Sequence, residues 1–360
     1  MNHKDHKGKT HSKENKHNQN KFVNRHFESI WKDLSEQKGN NLNFSLLLEK
    51  FIPLSEKDGN IVFDNRVKKD FFKKISKLSI KKEDFDRLPF YKDIDNICNG
   101  LKNQGYLKIF DKELKTKTRL ICGLGSSSVL ETSITLHRTY GIPYIPSTSI
   151  KGVCRSVAFW KIFEKYGLKD GNYSDEKFKT LSEKFNDQLI EVKDEGDLEI
   201  QFYQLLFGAQ DFKGLLLFLD AFPLINQNPI NQNLFDIDVM NVHYPSYYSE
   251  QVEYPVESDN PNPIFFITVK KGIGFRFVVF FDRHRWENIK SKIKNKSDNN
   301  LSGDEIWKKI NDKTVEKVDD FIKEGEEKEG SIKQLLEEAL GFYGVGSKTR
   351  LSYGLFTVGQ

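Results

Sequence analysis

No run of apolar residues in this 360-residue chain approaches the length needed to cross a bilayer, and its charged N-terminus is followed by no apolar stretch. A cytoplasmic protein with no membrane partner is expected. Cysteine is scarce. Cys98, Cys122 and Cys154 are odd in number and form no CxxC pair, which excludes a disulfide framework and fits a reducing compartment. Signatures of catalysis are absent as well: there is no GxSxG, no HExxH and no cysteine–histidine motif. Excess charge is missing too. The net +4 resides in residues 1–21, where six lysines face two acids, so the chain from Phe22 onward is neutral. Bulk charge therefore carries no argument for nucleic acid, and any such argument rests on local patches.

What is present is a large apolar complement, 37% of the chain with 29 Phe, ample for a core. Residues 1–21, rich in Lys, His, Asn and Gln, read as a disordered basic tail. The spacing of His3, His6, His11 and His17 is irregular and favours a solvated tail over a metal site. Residues 22–110 repeat apolar positions at three- and four-residue steps (Phe27, Ile30, Trp31, Leu34; Phe71, Phe72, Ile75, Leu78) and read as a helical N-terminal extension. From 111 onward the texture alternates. Leu114–Cys122 suits a strand and Ile150–Tyr166 a helix. Gly214–Asp220 suits a buried strand, and Pro263–Val269 with Gly274–Phe281 suits a strand pair across KKGIG. Ser331–Leu340 suits a helix stopped by Gly341, and Ser352–Val358 a last strand. Setting Pro263–Val269 aside, the order is strand, helix, strand, strand, helix, strand. That predicts an α+β fold with a ferredoxin-like, RRM-like core over 111–360 and large insertions at about 171–212 and 221–262.

Two windows stand out chemically. Residues 132–163 contain no acid, where composition predicts about 4.6, yet hold His137, Arg138, Lys151, Arg155 and Lys161. Pro143 and Pro146 lead into a helix for which Ser147, Thr148 and Ser149 offer caps. Lys151 falls in the first helical turn, where a cation opposes the helix dipole unless an anion is bound there. Arg155 follows four residues on, on the same face. The second window, Ala339–Gln360, also lacks acids. Gly341, Gly344 and Gly346 precede Ser347, Lys348, Thr349 and Arg350, a pattern suited to close approach of a phosphodiester. It is not a nucleotide P-loop, because Ser347 separates Gly346 from Lys348 and the loop runs from helix into strand. Lys115, Lys117 and Arg119 alternate on one strand face, which suits RNA or ordinary solvent equally. The tyrosine-rich stretch 236–255 could stack bases, and an interface or structural role is favoured slightly. Asp236 and Asp238 are paired carboxylates with no third ligand at metal spacing.

These motifs resemble a known family. GIPYIPSTSIKG followed by Arg155, and GVGSKTRLSYGLF, resemble the signature helix and the C-terminal glycine-rich loop of the RAMP superfamily of CRISPR proteins. SVLETSITLHRTYG, FLDAFP and DVMNVHY with NPNPIFFITV resemble the family of sixth RAMP subunits in the type III-B effector, the Cmr complex. The likeness covers roughly 118–360. It implies a non-catalytic scaffold subunit that binds crRNA and complementary target RNA beside the other Cmr subunits. His137, Arg138, Ser149, Lys151, Arg155, Gly344, Gly346, Lys348, Thr349 and Arg350 would be its RNA-binding residues, with no cofactor. The insertion at 221–262 would be a thumb-like element touching the duplex or the next subunit. Related subunits that cut RNA use an Asp in the loop before this helix. Here 123–142 carries Glu131 and no Asp, and Ser147 stands where the family has Gly. The rival readings are a metal-independent endoribonuclease using His137 and a pure protein–protein adaptor.

Overall fold

The computed structural model describes residues 43–57, 60–62, 65–81, 90–168, 173–224, 231–242, 244–257, 262–294, 306–328 and 330–358, together with Lys32. The tail 1–21 and most of 22–42 lie outside the described residues, as does His243. No helix among the described residues is long and apolar enough to cross a membrane.

The fold is a mixture of helices and curled antiparallel sheet. Its centre is β6 (Gly274–Asp282), a nearly unbroken apolar run, which is the composition of a strand covered on both faces. β6 pairs antiparallel with β1 (Tyr106–Thr116) along its whole length, from Gly274 opposite Lys115 to Asp282 opposite Tyr106, with an irregularity between Val279 and Phe280. β7 (Phe356–Thr357) joins the far side of β1. On the other side of β6 lie β2 (Leu216–Phe218) and β3 (Phe222–Leu224). The spatial order is therefore β7, β1, β6, β2.

One face of this sheet carries Phe275, Phe277 and Phe281 into the main core. There they meet α4 (Ser147–Ile162), α6 (Glu195–Phe207), α7 (Arg283–Lys294), α8 (Asp312–Lys328) and α9 (Gly330–Glu338); α4, α6, α8 and α9 pack on one another, and α7, α8 and α9 on β1. Val278 and Phe280 point the other way. They form a second cluster with Cys98 and, around it, Ile94 and Leu101 of α3 (Phe90–Asn103). A helix thus covers the sheet face that α4 and α9 leave open. Arg276 clamps α3 to the sheet, reaching Asp95 at 2.7 Å and Asp111 at 2.9 Å.

Several sequence expectations change here. The segment Pro263–Val269 does not pair with Gly274–Phe281. It belongs to β5 (Asn262–Val269), which pairs residue for residue with β4 (Phe235–Val242) in a separate two-stranded sheet. Buried Thr116 explains the switch. Its hydroxyl donates to the Lys270 carbonyl (2.8 Å) and accepts from the Ile273 N–H (2.9 Å), so the chain turns a corner where a hairpin was expected. The first strand is Tyr106–Thr116 and not Leu114–Cys122. Beyond that corner only an isolated bridge, Leu120 to Val269, continues. The stretch 171–212, expected as an insertion, contributes to the core. α5 (Asp175–Asn186) and α6 pack into the main core, and Ile200, Leu205 and Leu206 are fully buried. The last helix does not stop at Gly341. It relaxes into a π-turn, Ala339–Tyr343, and ends at Gly344, whose φ of 77° breaks the helix.

The described N-terminal part contains α1 (Phe44–Glu49), α2 (Asn65–Lys77), α3 and short strands at Ser55–Lys57, Asn60–Val62 and Ile80–Lys81. α1 and α2 share the main core. The Phe44 ring meets the Phe235 ring edge-on at 4.8 Å, and α2 lies on the β4–β5 hairpin.

Candidate nucleic-acid interface

α4 begins where two distant segments meet. The amide and carbonyl of Ile145 exchange hydrogen bonds with Ala221, both at 2.9 Å. The Ser147 N–H donates to the Asp220 carboxylate at 2.6 Å. Pro146 occupies the cap position and supplies no side-chain bond. The expected local caps at 147–149 are therefore replaced by a carboxylate from 73 residues away, which compensates the positive helix end. The sequence signal for this was a single acid inside an apolar run, FLDAFP.

The C-terminal loop is laid along residues 117–124. Ser347 N–H donates to the Ile121 carbonyl (2.7 Å), Gly354 N–H to the Arg119 carbonyl (2.7 Å) and Val345 N–H to the Gly354 carbonyl (3.0 Å). This lasso has residues in the left-handed region: Gly344, Gly346, Lys348, Ser352 and Gly354. At Gly346, with φ of 100°, an added Cβ would lie 2.4 Å from the Ile121 carbonyl oxygen. Fitting the loop to its own chain already requires glycine there.

Between α4 and the lasso runs an open groove of about 500 Å³. Ser149, Gly344, Gly346 and Thr349 line it together with Gly152, Val153 and Ser347, so the two windows separated by some 190 residues of sequence share one site. Buried Cys122 forms part of the floor, and burial pushes its thiol up to about 12. Gly152 is exposed, and nothing lies within 4 Å of where its Cβ would stand.

Lys151 and Arg155 lie on another flank of α4 and do not line the groove. The Arg155 guanidinium donates to the Phe185 carbonyl (2.9 Å) and Asn186 Oδ1 (2.7 Å) and sits 4.7 Å from the Phe185 ring centroid. These are neutral partners. Burial lowers the Arg155 pKa, and burial together with nearby Arg155 lowers that of Lys151. Among the described residues neither side chain forms an ion pair with a carboxylate. A half-buried pair of like charges without a counter-ion is an arrangement that an external anion stabilises.

The remaining candidates separate. His137 stacks on Tyr140 (4.4 Å between ring centres), meets Tyr144 and Phe222 edge-on, and accepts the Tyr140 N–H at Nδ1 (3.3 Å). Arg138 is exposed, and its carbonyl accepts a bond from Asn43 Nδ2 (3.2 Å), which ties α1 to this loop. The Lys348 ammonium stands 5.7 Å from the Phe266 ring centre, and Arg350 is exposed in a short 3₁₀ turn.

Two clusters escaped sequence reasoning. Asp236 and Asp238 both accept hydrogen bonds from Arg119, at 2.9 and 3.1 Å. The Tyr353 hydroxyl also donates to Asp238, and burial with that bond pushes its pKa up to about 12. Arg119 is therefore spoken for, while Lys115 and Lys117 remain exposed. Glu131, at φ 63°, is held at 2.6 Å by Lys68 of α2, a fully buried lysine.

Residues 113–357 match the RAMP superfamily. The chain is 31% identical over 216 residues to the CRISPR system Cmr subunit Cmr6 of Pyrococcus furiosus, an alignment covering 53% of this chain and 61% of that protein. It thus spans about three fifths of that relative's length. It is 27% identical over 254 residues to the CRISPR system CMR subunit Cmr6 of Saccharolobus solfataricus, covering 69% and 72%. Among solved structures it is similar to a chain in the type III-B Cmr-beta complex bound to cognate target RNA (19% identity, TM-score 0.46, covering 93% of this chain and 87% of that one). It is also similar to the crystal structure of Cmr6 from Pyrococcus furiosus (27%, TM-score 0.37, covering 71% and 99%). Matched over more than half its length, and carrying both signature windows in one groove, the chain belongs to the RAMP superfamily and is similar to its Cmr6 members.

Proposed function

We propose that this chain is a non-catalytic, cytoplasmic RNA-binding scaffold subunit of a type III-B CRISPR effector, holding the crRNA 3′ region and the guide–target duplex in antiviral defence. In such a division of labour base pairing supplies sequence, and the protein supplies backbone contacts. The observation that carries the reading is the pairing of the α4–lasso groove with the uncompensated cations Lys151 and Arg155 on the same helix. Exposed Gly152, next in the chain to Lys151, presents no side chain on the groove's edge, which supports a strand passing from the groove toward those cations.

The core is read as ferredoxin-like. Strands β1, β2, β6 and β7 follow one another in sequence, α4 separates the first two and α9 the last two, and the sheet order β7, β1, β6, β2 supports it. It departs from an RNA-recognition module in one respect. α3 covers the sheet face such modules use for stacking, which directs RNA to the α4 side. Against the nuclease alternative stand His137, whose Nδ1 is bonded within an aromatic cluster, and Glu131, bound to buried Lys68.

The test is to titrate labelled single-stranded RNA with the isolated protein over a range of salt, and to incubate repeat RNA with it in EDTA. Salt-dependent, sequence-tolerant binding without cleavage is expected. Specific cleavage abolished by His137→Ala would establish the nuclease. Absence of any RNA affinity would leave the adaptor.

A further inference from the structure

Residues 214–269 contain neither lysine nor arginine, a gap of 56 positions in a chain where the rest averages a cation every five or six residues. The same stretch has seven acids. It carries −7 and the remainder of the chain +11, against +4 for the whole. Most of this charge-segregated stretch belongs to the β4–β5 hairpin and the residues that join its strands. Asp236 and Asp238, near its base, are neutralised by Arg119. At its far end Glu250, Glu253 and Glu257 are exposed, and none forms an ion pair among the described residues. Beside them in the chain stand Tyr248 and Tyr254, exposed to 71% and 70%, with Tyr247 packed edge-on against Tyr248 at 5.6 Å.

Exposed tyrosines of this kind serve two ends, stacking bases or anchoring a protein interface. Charge decides between them. Stacking platforms for RNA operate inside a cationic groove, because the phosphates that accompany each base must be neutralised. Here the tyrosines share the stretch 244–257 with Glu250, Glu253 and Glu257, and no cation lies within the sequence of the hairpin. The same surface complements a lysine- or arginine-rich protein face, with exposed tyrosines as anchors and unpaired glutamates beside them. We infer that the 244–257 end of the β4–β5 hairpin docks a cationic face of another protein subunit and does not touch RNA. The inference rests on the functional reading above only in taking that partner to be a subunit of the same ribonucleoprotein.

The experiment uses the full chain in the assembled complex. p-Benzoylphenylalanine is placed at position 248 or 254, and the protein is reconstituted with crRNA and the other type III-B subunits of its host. Irradiation is expected to cross-link both positions to a basic face of a different subunit. The double variant Glu253→Lys, Glu257→Lys should enter the complex at least tenfold less well at about physiological salt, where the Debye length still spans a contact. Its affinity for labelled RNA as an isolated chain should stay within twofold. Cross-links to RNA, cross-links to a second copy of this chain, or undiminished incorporation of the double variant would each overturn the assignment. If the unsubstituted chain never enters the complex, the functional reading fails. If it enters and yields no cross-link at either position, the docking surface alone fails.

Discussion

Replacing Lys151 by Met should move stability and RNA affinity in opposite directions. The sequence places Lys151 in the first turn of its helix, but α4 opens at Ser147, so Lys151 is its fifth residue, just past that turn, where the dipole opposes a cation by only a few tenths of a kcal/mol, roughly. Burial and Arg155 disfavour its charge further, by an amount that solvent screening keeps small for a half-exposed group. Methionine keeps the apolar stem and removes the charge. The variant should therefore be slightly more stable, by about 0.3 kcal/mol, or roughly 1 °C in Tm for a chain of this size. The same change removes one charge-assisted phosphate contact. RNA binding should weaken by about 1–2 kcal/mol, roughly five- to thirtyfold, with the salt slope flattened by about one unit. The pH dependence has a fixed sign. In the folded protein Lys151 releases its proton below its ordinary value of 10.5, so the unfolded chain binds more protons between the lowered value and 10.5. The unsubstituted protein gains stability as pH rises through that window, and Lys151→Met loses this gain. Calorimetric melting and fluorescence anisotropy on one preparation, at several salt concentrations, measure both effects. Unchanged RNA affinity, or a stability loss above about 1 kcal/mol, would refute the picture of a counter-ion-free cation awaiting phosphate.

Arg155→Ala should instead lower stability, by about 2 kcal/mol, since it removes hydrogen bonds to Phe185 and Asn186 and the stacking on Phe185; a denaturant titration reads it. Gly346→Ala should cost about 2–4 kcal/mol in thermal stability, through positive-φ strain and loss of the Ser347–Ile121 bond, and should release the lasso to protease. Thr116→Val should cost about 2–3 kcal/mol, because the Lys270 carbonyl and Ile273 N–H lose a buried partner; a loss below about 0.5 kcal/mol in chemical unfolding would show that the corner is not held by this hydroxyl.

What is local was legible in the residues. Apolar periodicity placed α4 and the helix ahead of the lasso, and the two acid-free windows marked the residues that the fold then brings into one groove at Ser149, Gly344, Gly346 and Thr349. Helices and glycine turns are dictated by neighbours a few positions apart, so they can be read from the residues concerned. The tertiary structure decided what depends on contacts across the chain. Both Phe235–Val242 and Gly274–Asp282 are apolar enough to pair with Asn262–Val269, and the choice falls to a buried threonine from another strand. The anion that balances α4 is Asp220, which sequence offers only as one acid among many. Arg155 looked free because its acceptors, a carbonyl and an amide 30 and 31 residues away, have no sequence signature. The groove's glycines meet the demands of the chain's own backbone before those of any ligand, and Gly152 alone among the groove's glycines is left without such a demand. Long-range pairing is selected by the sum of packing and hydrogen-bond satisfaction over the whole core, and no single segment contains that sum.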